Sequence, residues 1–170
     1  SGRSSSIWPR RLQGSGIEHW LRHELPPLVD TGARVVASIW GRTVDDYRRA
    51  ADLLAAAPDA VGAVEVNLSC PNLEGRRAIF AHYPDVSAAV IGATATCGRP
   101  RWAKLSPNTD RVVEVAHAVS DAGAAALTLV NTLLGMVIDP RTLRPALGAG
   151  GGGLSGPGIH PVAVRVVHDV

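Results

Sequence analysis

The sequence predicts a partial TIM (β/α)8 barrel, an α/β fold in which parallel strands alternate with helices. Short apolar runs alternate along the chain with segments whose apolar residues recur every three or four positions, which is the pattern of βαβ units. The composition agrees, since 46% of the residues are hydrophobic but only 4% are aromatic, as suits a core of small side chains. Four strands make only half of a barrel. We therefore interpret residues 1–170 as a single domain that is a segment of a larger barrel; a complete small domain with an open doubly wound sheet is the alternative.

Four apolar runs predict the strands. They are "ARVVASI" at 33–39, "VGAVEVN" at 61–67, "PRWAKLS" at 100–106 and "AALTLVN" at 125–131. Because helical patterns separate them, we expect right-handed crossovers and a parallel sheet.

Helix start and stop signals lie around these runs. The stretch 17–32 is helical in pattern, and Pro26 and Pro27 are expected to bend or restart it. The glycine run at 148–153 predicts a flexible loop. The other predicted helices start at Thr43, at Pro84, at Thr109 with Asp110, and at Pro161; the second continues to about Ala95 and the third ends at Gly123.

Composition also excludes several classes of protein. A net charge of +2 does not favour binding to nucleic acid. No apolar run reaches the roughly 18 residues of a membrane span, and the opening stretch lacks the pattern of a signal peptide, so a cytoplasmic protein is expected. Cys70 and Cys97 are too few for a disulfide framework and lack metal-ligand spacing, so no metal is predicted. Cys97 is expected to be an inert, packed thiol.

Polar side chains follow three of the predicted strands. Asn67, Cys70 and Asn72 come at the end of the second strand; Lys104, Ser106 and Asn108 at the end of the third; Asn131 and Thr132 at the end of the fourth. In a parallel barrel these positions share one rim, where catalytic groups gather. A lysine within an apolar strand is costly to bury without an anion, so Lys104 is expected to have an anionic partner.

Four motifs together resemble class 1 dihydroorotate dehydrogenases. They are "EVNLSCPN", "AKLSPN", "LTLVNTLLGM" and "GGLSGPGIHP", in that order, and the resemblance covers residues 16–170. The motifs "KLSPN" and "NTLLGM" are similar to those of the 1B branch of this class. The resemblance implies an FMN-dependent oxidation of dihydroorotate to orotate in pyrimidine (UMP) biosynthesis, a homo-oligomer, and a partner subunit that carries an iron–sulfur cluster and FAD and passes electrons to NAD.

The resemblance also implies roles for individual residues. Oxidising dihydroorotate removes a proton from C5 and a hydride from C6, and Cys70 would be the base that takes the proton. Lys104 would lie by the N1 and O2 region of the flavin, where reduction creates negative charge. The substrate would be bound by Asn67, Asn72, Asn131 and Thr132, and FMN by Ser38, Asn67, Lys104, Val130 and Gly156.

Residues 1–15 diverge from this family. The family's "NAIGLQNPG", which cradles the substrate, corresponds to "WPRRLQGSG" here, with Trp8 in place of the substrate-binding asparagine and Arg11 in place of a glycine. An early flavin-contacting lysine and the late phosphate-binding loops of the family correspond to nothing in the 170 residues. Two other hypotheses therefore stay open: a related flavin oxidoreductase that acts on another cyclic amide such as a dihydropyrimidine, and a non-catalytic remnant that binds no flavin.

Overall fold

The N-terminal part of the fold is a helical segment that changes its winding. The computed structural model describes residues 16–69, 79–148 and 150–170. Helix α1, Ile17–His19, leads into a π-helical turn at Trp20–Glu24, and helix α2, Leu25–Asp30, follows. Pro26 and Pro27 lie in the first turn of α2, directly after the π-helical turn. The helical run is unbroken, so the predicted restart takes the form of a change of winding ahead of the prolines.

The described strands include one four-stranded parallel sheet. Strands β1 (Val35–Ile39), β2 (Val61–Asn67), β3 (Arg101–Lys104) and β4 (Ala126–Thr128) lie in the order β1-β2-β3-β4. Helices α3 (Val44–Leu54), α4 (Pro84–Ala93) and α5 (Val112–Asp121) connect them. A doubly wound sheet reverses its strand order at a switch point, whereas a barrel runs consecutively. The consecutive order therefore confirms the predicted partial barrel.

Apolar side chains between the sheet and the helices form the core. Val64 and Val66 of β2 are fully buried there, and so is Tyr47 of α3, which packs edge-on against Phe80 with ring centroids 5.6 Å apart. Full burial of an apolar side chain such as Val or Phe contributes roughly 1.5–3 kcal/mol to the stability of the fold. The opposite face of the sheet is open, because Val36 of β1 and Trp40, which directly follows β1, are 42% and 38% exposed. In a complete barrel that face lines the interior.

A local sequence signal explains the start of α3 but not that of α5. The hydroxyl of Thr43 accepts the N–H of Asp46 at 3.1 Å, and the Asp46 carboxylate accepts the N–H of Thr43 at 3.0 Å, which is a complete capping box. The predicted start of α3 is thus confirmed. The predicted cap of α5 is wrong: its N-cap is Arg111, because Thr109 accepts the N–H of Arg111 two residues on and forms a turn before the helix.

Arg99 joins helix α3, strand β2 and the 3-10 turn at Thr94–Cys97 at the amino-terminal edge of the sheet. Its guanidinium lies beside the end of α3 and the start of β2, and it is only partly exposed. The nitrogen Nε donates to the Val61 carbonyl at 2.8 Å, and Nη1 donates to the Leu54 carbonyl at 3.0 Å. Further bonds go to the carbonyls of Ala57, Pro58 and Cys97. Cys97 itself is 1% exposed, as expected of a packed thiol.

After β4 the chain makes a hairpin that the sequence did not predict. Strand β5, Leu133–Gly135, pairs antiparallel with β6, Gly152–Leu154. The expectation of a flexible loop at 148–153 is therefore wrong for its last two glycines. A Cβ atom at Gly153 would lie 2.4 Å from the hydroxyl oxygen of Thr132, so glycine allows the close approach of these strands.

The last described helix, α6, spans His160–Asp169, and Pro161 lies in its first turn as predicted. A 3-10 turn at Pro157–Ile159 precedes it. Across the residues that the structure describes, every helix is too short or too polar to cross a bilayer.

Candidate active site

The carboxyl ends of the strands bring the predicted polar residues together. In the sheet register Asn67 pairs with Lys104, and Lys104 pairs with Thr128. Beyond β4, the N–H of Asn131 donates to the Leu105 carbonyl at 3.1 Å, so residue 131 continues the same edge. Asn67, Lys104 and Asn131 therefore lie on one rim, as the sequence predicts.

Hydrogen bonds between side chains and the backbone fix the turn that follows β2. The hydroxyl of the buried Tyr47 donates to the Asn67 carbonyl at 2.7 Å. The Asn67 side-chain oxygen accepts the N–H of Ser69 at 3.0 Å, and the Ser69 hydroxyl donates to the Lys104 carbonyl at 3.1 Å. The chain is thus held firmly at the point where it enters the "CPN" stretch. Cys70 and Asn72 themselves lie outside the described residues, and so do residues 1–15, which include Trp8 and Arg11.

Lys104 has the anionic partner that its place in an apolar strand predicts. Its Nζ lies 3.9 Å from Oε1 of Glu65, and the two side chains are 27% and 16% exposed. The Glu65 carboxylate also accepts hydrogen bonds from the hydroxyls of Ser38 and Thr128, each at 2.9 Å. Sequence reasoning missed Glu65 and Thr128. The available signal was the position of Glu65, two residues before Asn67 and therefore on the same face of β2.

A second polar contact joins the loop after β3 to the segment after β4. The Asn108 amide nitrogen donates to the Thr132 carbonyl at 2.9 Å and to the Ser106 hydroxyl at 3.1 Å, while its oxygen accepts the N–H of Leu134 at 2.8 Å. Both ends of one side-chain amide thus hold the segment that carries Asn131 and Thr132. Sequence reasoning placed Asn108 on the rim but gave it no role.

Two of the remaining predicted cofactor positions, Ser38 and Val130, lie at this edge, and the third, Gly156, comes after β6. Ser38 of β1 pairs with Glu65 in the sheet register, and Val130 follows β4. Gly156, with φ of 96° and ψ of −167°, precedes the 3-10 turn that leads into α6. That backbone conformation favours glycine, because a Cβ is strained at positive φ.

These features define a class: a partial (β/α)8 barrel whose polar residues gather where the parallel strands end. Within that class, the chain belongs to the dihydroorotate dehydrogenase family, whose family model matches residues 11–170. Proteins of this family are FMN-dependent flavoproteins.

Individual relatives agree with this assignment. The catalytic subunit of dihydroorotate dehydrogenase B (NAD(+)) from Listeria monocytogenes serotype 4b is 43% identical over 160 residues, which cover 94% of this chain and 52% of the relative. The protein of the same name from Geobacillus kaustophilus is 41% identical, with coverage of 94% and 51%. The chain therefore spans about half the length of the curated relatives it matches.

A solved structure supports the fold. The crystal structure of DHODH in complex with ferulenol from Eimeria tenella superposes with a TM-score of 0.53 over 74% of this chain and 38% of that chain. The sequence identity is 20%, so this likeness bears on the fold alone.

Proposed function

We propose that the protein to which this chain belongs oxidises dihydroorotate to orotate, with FMN, in the cytoplasmic biosynthesis of UMP. The single observation that supports this most directly is the rim itself, where Asn67, Lys104 and Asn131 meet beside the sheet face that would line a barrel. Amide side chains offer both donors and acceptors, which match the alternating C=O and N–H groups of a pyrimidine ring.

The described residues fit an FMN site. Lys104 supplies a partly buried cation on the open face of the sheet, at the end of its strand. When bound, FMN would accept the hydride from C6 of the substrate, and its reduced form carries negative charge that a fixed cation stabilises. Beside Lys104, Ser38 and Asn67 would contact the cofactor through side chains, and Val130 and Gly156 through the backbone.

Cys70 is the proposed base. Free thiols have a pKa near 8.5, so the site must favour the thiolate for proton transfer near neutral pH. The contacts of Asn67 and Ser69 hold the chain up to the residue directly before Cys70. Asn67, Asn72, Asn131 and Thr132 would hold the substrate so that its C5 proton faces this residue.

Two further features of the complete protein are proposed. Relatives at 41–43% identity are named catalytic subunits of an NAD(+) enzyme, which supports a separate electron-transfer subunit with an iron–sulfur cluster and FAD. A homo-oligomer is the other expectation. The segment from β5 onward exposes Leu134, Met136 and Val137 by 60–71%, an apolar surface that either the rest of the protein or a second copy would cover.

The test is the substitution Cys70→Ser in the holoenzyme. We expect flavin reduction by dihydroorotate, followed by stopped-flow absorbance, to slow by about 10²-fold or more, in line with the loss of a general base. Orotate should still perturb the flavin spectrum. Cys97→Ser is the matched control, and it should leave the rate unchanged because its thiol lies in the core.

The same measurements address the two other hypotheses. Equal reduction rates in Cys70→Ser and the parent would remove Cys70 from the mechanism. A flavin spectrum that responds to another cyclic amide but not to orotate would overturn the proposed substrate, and purified protein without flavin absorbance would favour the non-catalytic remnant.

A further inference from the structure

One carboxylate connects side chains from all four strands of the parallel sheet. The register pairs Ser38 with Glu65 and Lys104 with Thr128, and these four side chains project from the face opposite the helices. Oxygen Oε1 of Glu65 accepts the Ser38 hydroxyl, and Oε2 accepts the Thr128 hydroxyl, both at 2.9 Å. Since each oxygen has a donor on its own side, the carboxylate is fixed in orientation between β1 and β4.

The contact between this carboxylate and Lys104 is electrostatic. The Nζ to Oε1 distance of 3.9 Å is longer than a charged hydrogen bond, which is typically about 2.7–2.9 Å. Oppositely charged groups at this distance attract strongly where water is partly excluded, and here both side chains are less than one-third exposed. Glu65 therefore offsets part of the positive charge of Lys104 without making a direct hydrogen bond to it.

We propose that Glu65 sets the charge balance at the flavin site and lowers the reduction potential of the bound cofactor. The inference rests on the proposed function, in which Lys104 lies beside the part of FMN that becomes negative on reduction. A fixed carboxylate near that lysine weakens the preference for reduced flavin. A lower potential would favour the onward transfer of electrons from the cofactor to a separate acceptor. Thr128 is a positioning residue in this scheme, because its hydroxyl holds the carboxylate. The Ser38 hydroxyl holds the same carboxylate in addition to its proposed contact with FMN.

The decisive measurement is the midpoint potential of FMN in the holoenzyme with Glu65→Gln. The amide keeps the size of the side chain but removes its charge. We expect the ratio of reduced to oxidised flavin at a given potential to rise about tenfold, which is a shift of about +30 mV for a two-electron couple. Lys104→Met should shift the potential in the opposite direction, and the double variant should lie close to the parent.

Glu114→Gln is the matched control. Glu114 is also a carboxylate paired with a cation, Arg111 at 2.6 Å, but it is an exposed residue on α5 and should leave the potential unchanged. A potential that stays the same or falls in Glu65→Gln would overturn the inference. If the parent holds FMN and oxidises dihydroorotate while Glu65→Gln has the parent's potential, only this inference fails and the proposed function stands.

A flavin-free measurement tests the coupling independently. In protein stripped of FMN, Glu65→Gln should lower the midpoint of thermal unfolding, because it leaves the partly buried ammonium without its counterion. Adding Lys104→Met should recover part of that loss. Strictly additive effects of the two substitutions would mean that the residues are not coupled, and would contradict the inference even if the parent bound no flavin.

Discussion

The amide of Asn108 gives the sharpest test of how the rim is held together. In Asn108→Asp an oxygen replaces the nitrogen that donates to the Thr132 carbonyl at 2.9 Å and to the Ser106 hydroxyl at 3.1 Å. The Ser106 hydroxyl can rotate and donate to the new carboxylate, and the Leu134 N–H keeps its acceptor. The Thr132 carbonyl has no such choice, because it then faces a second acceptor.

The magnitude follows from that one unsatisfied contact. Leaving a polar group without its partner costs roughly 1–3 kcal/mol, and a stronger bond from the Leu134 N–H to the charged oxygen offsets part of this. We therefore expect a net loss of about 1–2 kcal/mol, which is roughly 5- to 30-fold in an equilibrium constant. Since Asn131 and Thr132 lie in the released segment, the loss should appear as a raised Kd for orotate.

Titration of the flavin spectrum with orotate measures this effect, and thermal unfolding gives its cost in stability. Asp110→Asn is a suitable control, because it makes the reverse exchange at an exposed position of the same loop. An Asn108→Asp variant that binds orotate as tightly as the parent would show that the amide does not hold the substrate segment. A loss of stability with unchanged affinity would assign Asn108 a structural role only.

Two further predictions concern residues away from the rim. Arg99→Lys should lower the free energy of unfolding, measured in urea, by about 2–4 kcal/mol. The reason is that an ammonium cannot reproduce the planar set of hydrogen bonds that the guanidinium makes to five carbonyls. Each charged hydrogen bond contributes about 1.5–3 kcal/mol, but the contributions do not add fully. The exposed Arg22→Lys is its control, and equal losses in both variants would refute the argument. Hydrogen bonds from Arg48 and then Arg49 lower the pKa of Asp45 below its ordinary value, so this carboxylate stabilises the fold above pH of about 4 and loses that contribution as the pH falls through its lowered pKa. Carboxyl NMR titration should find the pKa higher in Arg48→Gln than in the parent, and an unchanged value would contradict the assigned cause.

Elements with local signals were predictable from the sequence. The strand Val61–Asn67 matches its prediction residue for residue, because a buried apolar run there ends abruptly in polar residues. Thr43 and Asp46 lie three residues apart and satisfy each other's backbone, so the start of α3 needs no distant contact. The hairpin of β5 and β6 was missed because its second strand is largely glycine, and its pairing depends on a distant segment at Leu133–Gly135.

The candidate site likewise contains one feature that the sequence predicts and others that depend on distant contacts. The cost of burying an ammonium predicted that Lys104 has an anionic partner, and the structure contains one. That the partner is Glu65 depends on the register between neighbouring strands, which one sequence does not specify. The clamp made by Asn108 also joins two loops that are distant in sequence. The catalytic and binding roles of all the predicted site residues stay predictions, and Cys70 and Asn72 lie outside the described ranges.

The hydroxyl of Tyr47 has a practical meaning for anyone who redesigns this pocket. Tyr47 belongs to the helical layer and is fully buried, so a designer would normally treat it as an interchangeable filler of the core. Yet its oxygen reaches the carbonyl of Asn67, the last residue before the turn that leads toward the proposed base. A library of variants that keeps every rim residue but varies Tyr47 therefore still changes the pocket, through the lost contact with the backbone of Asn67.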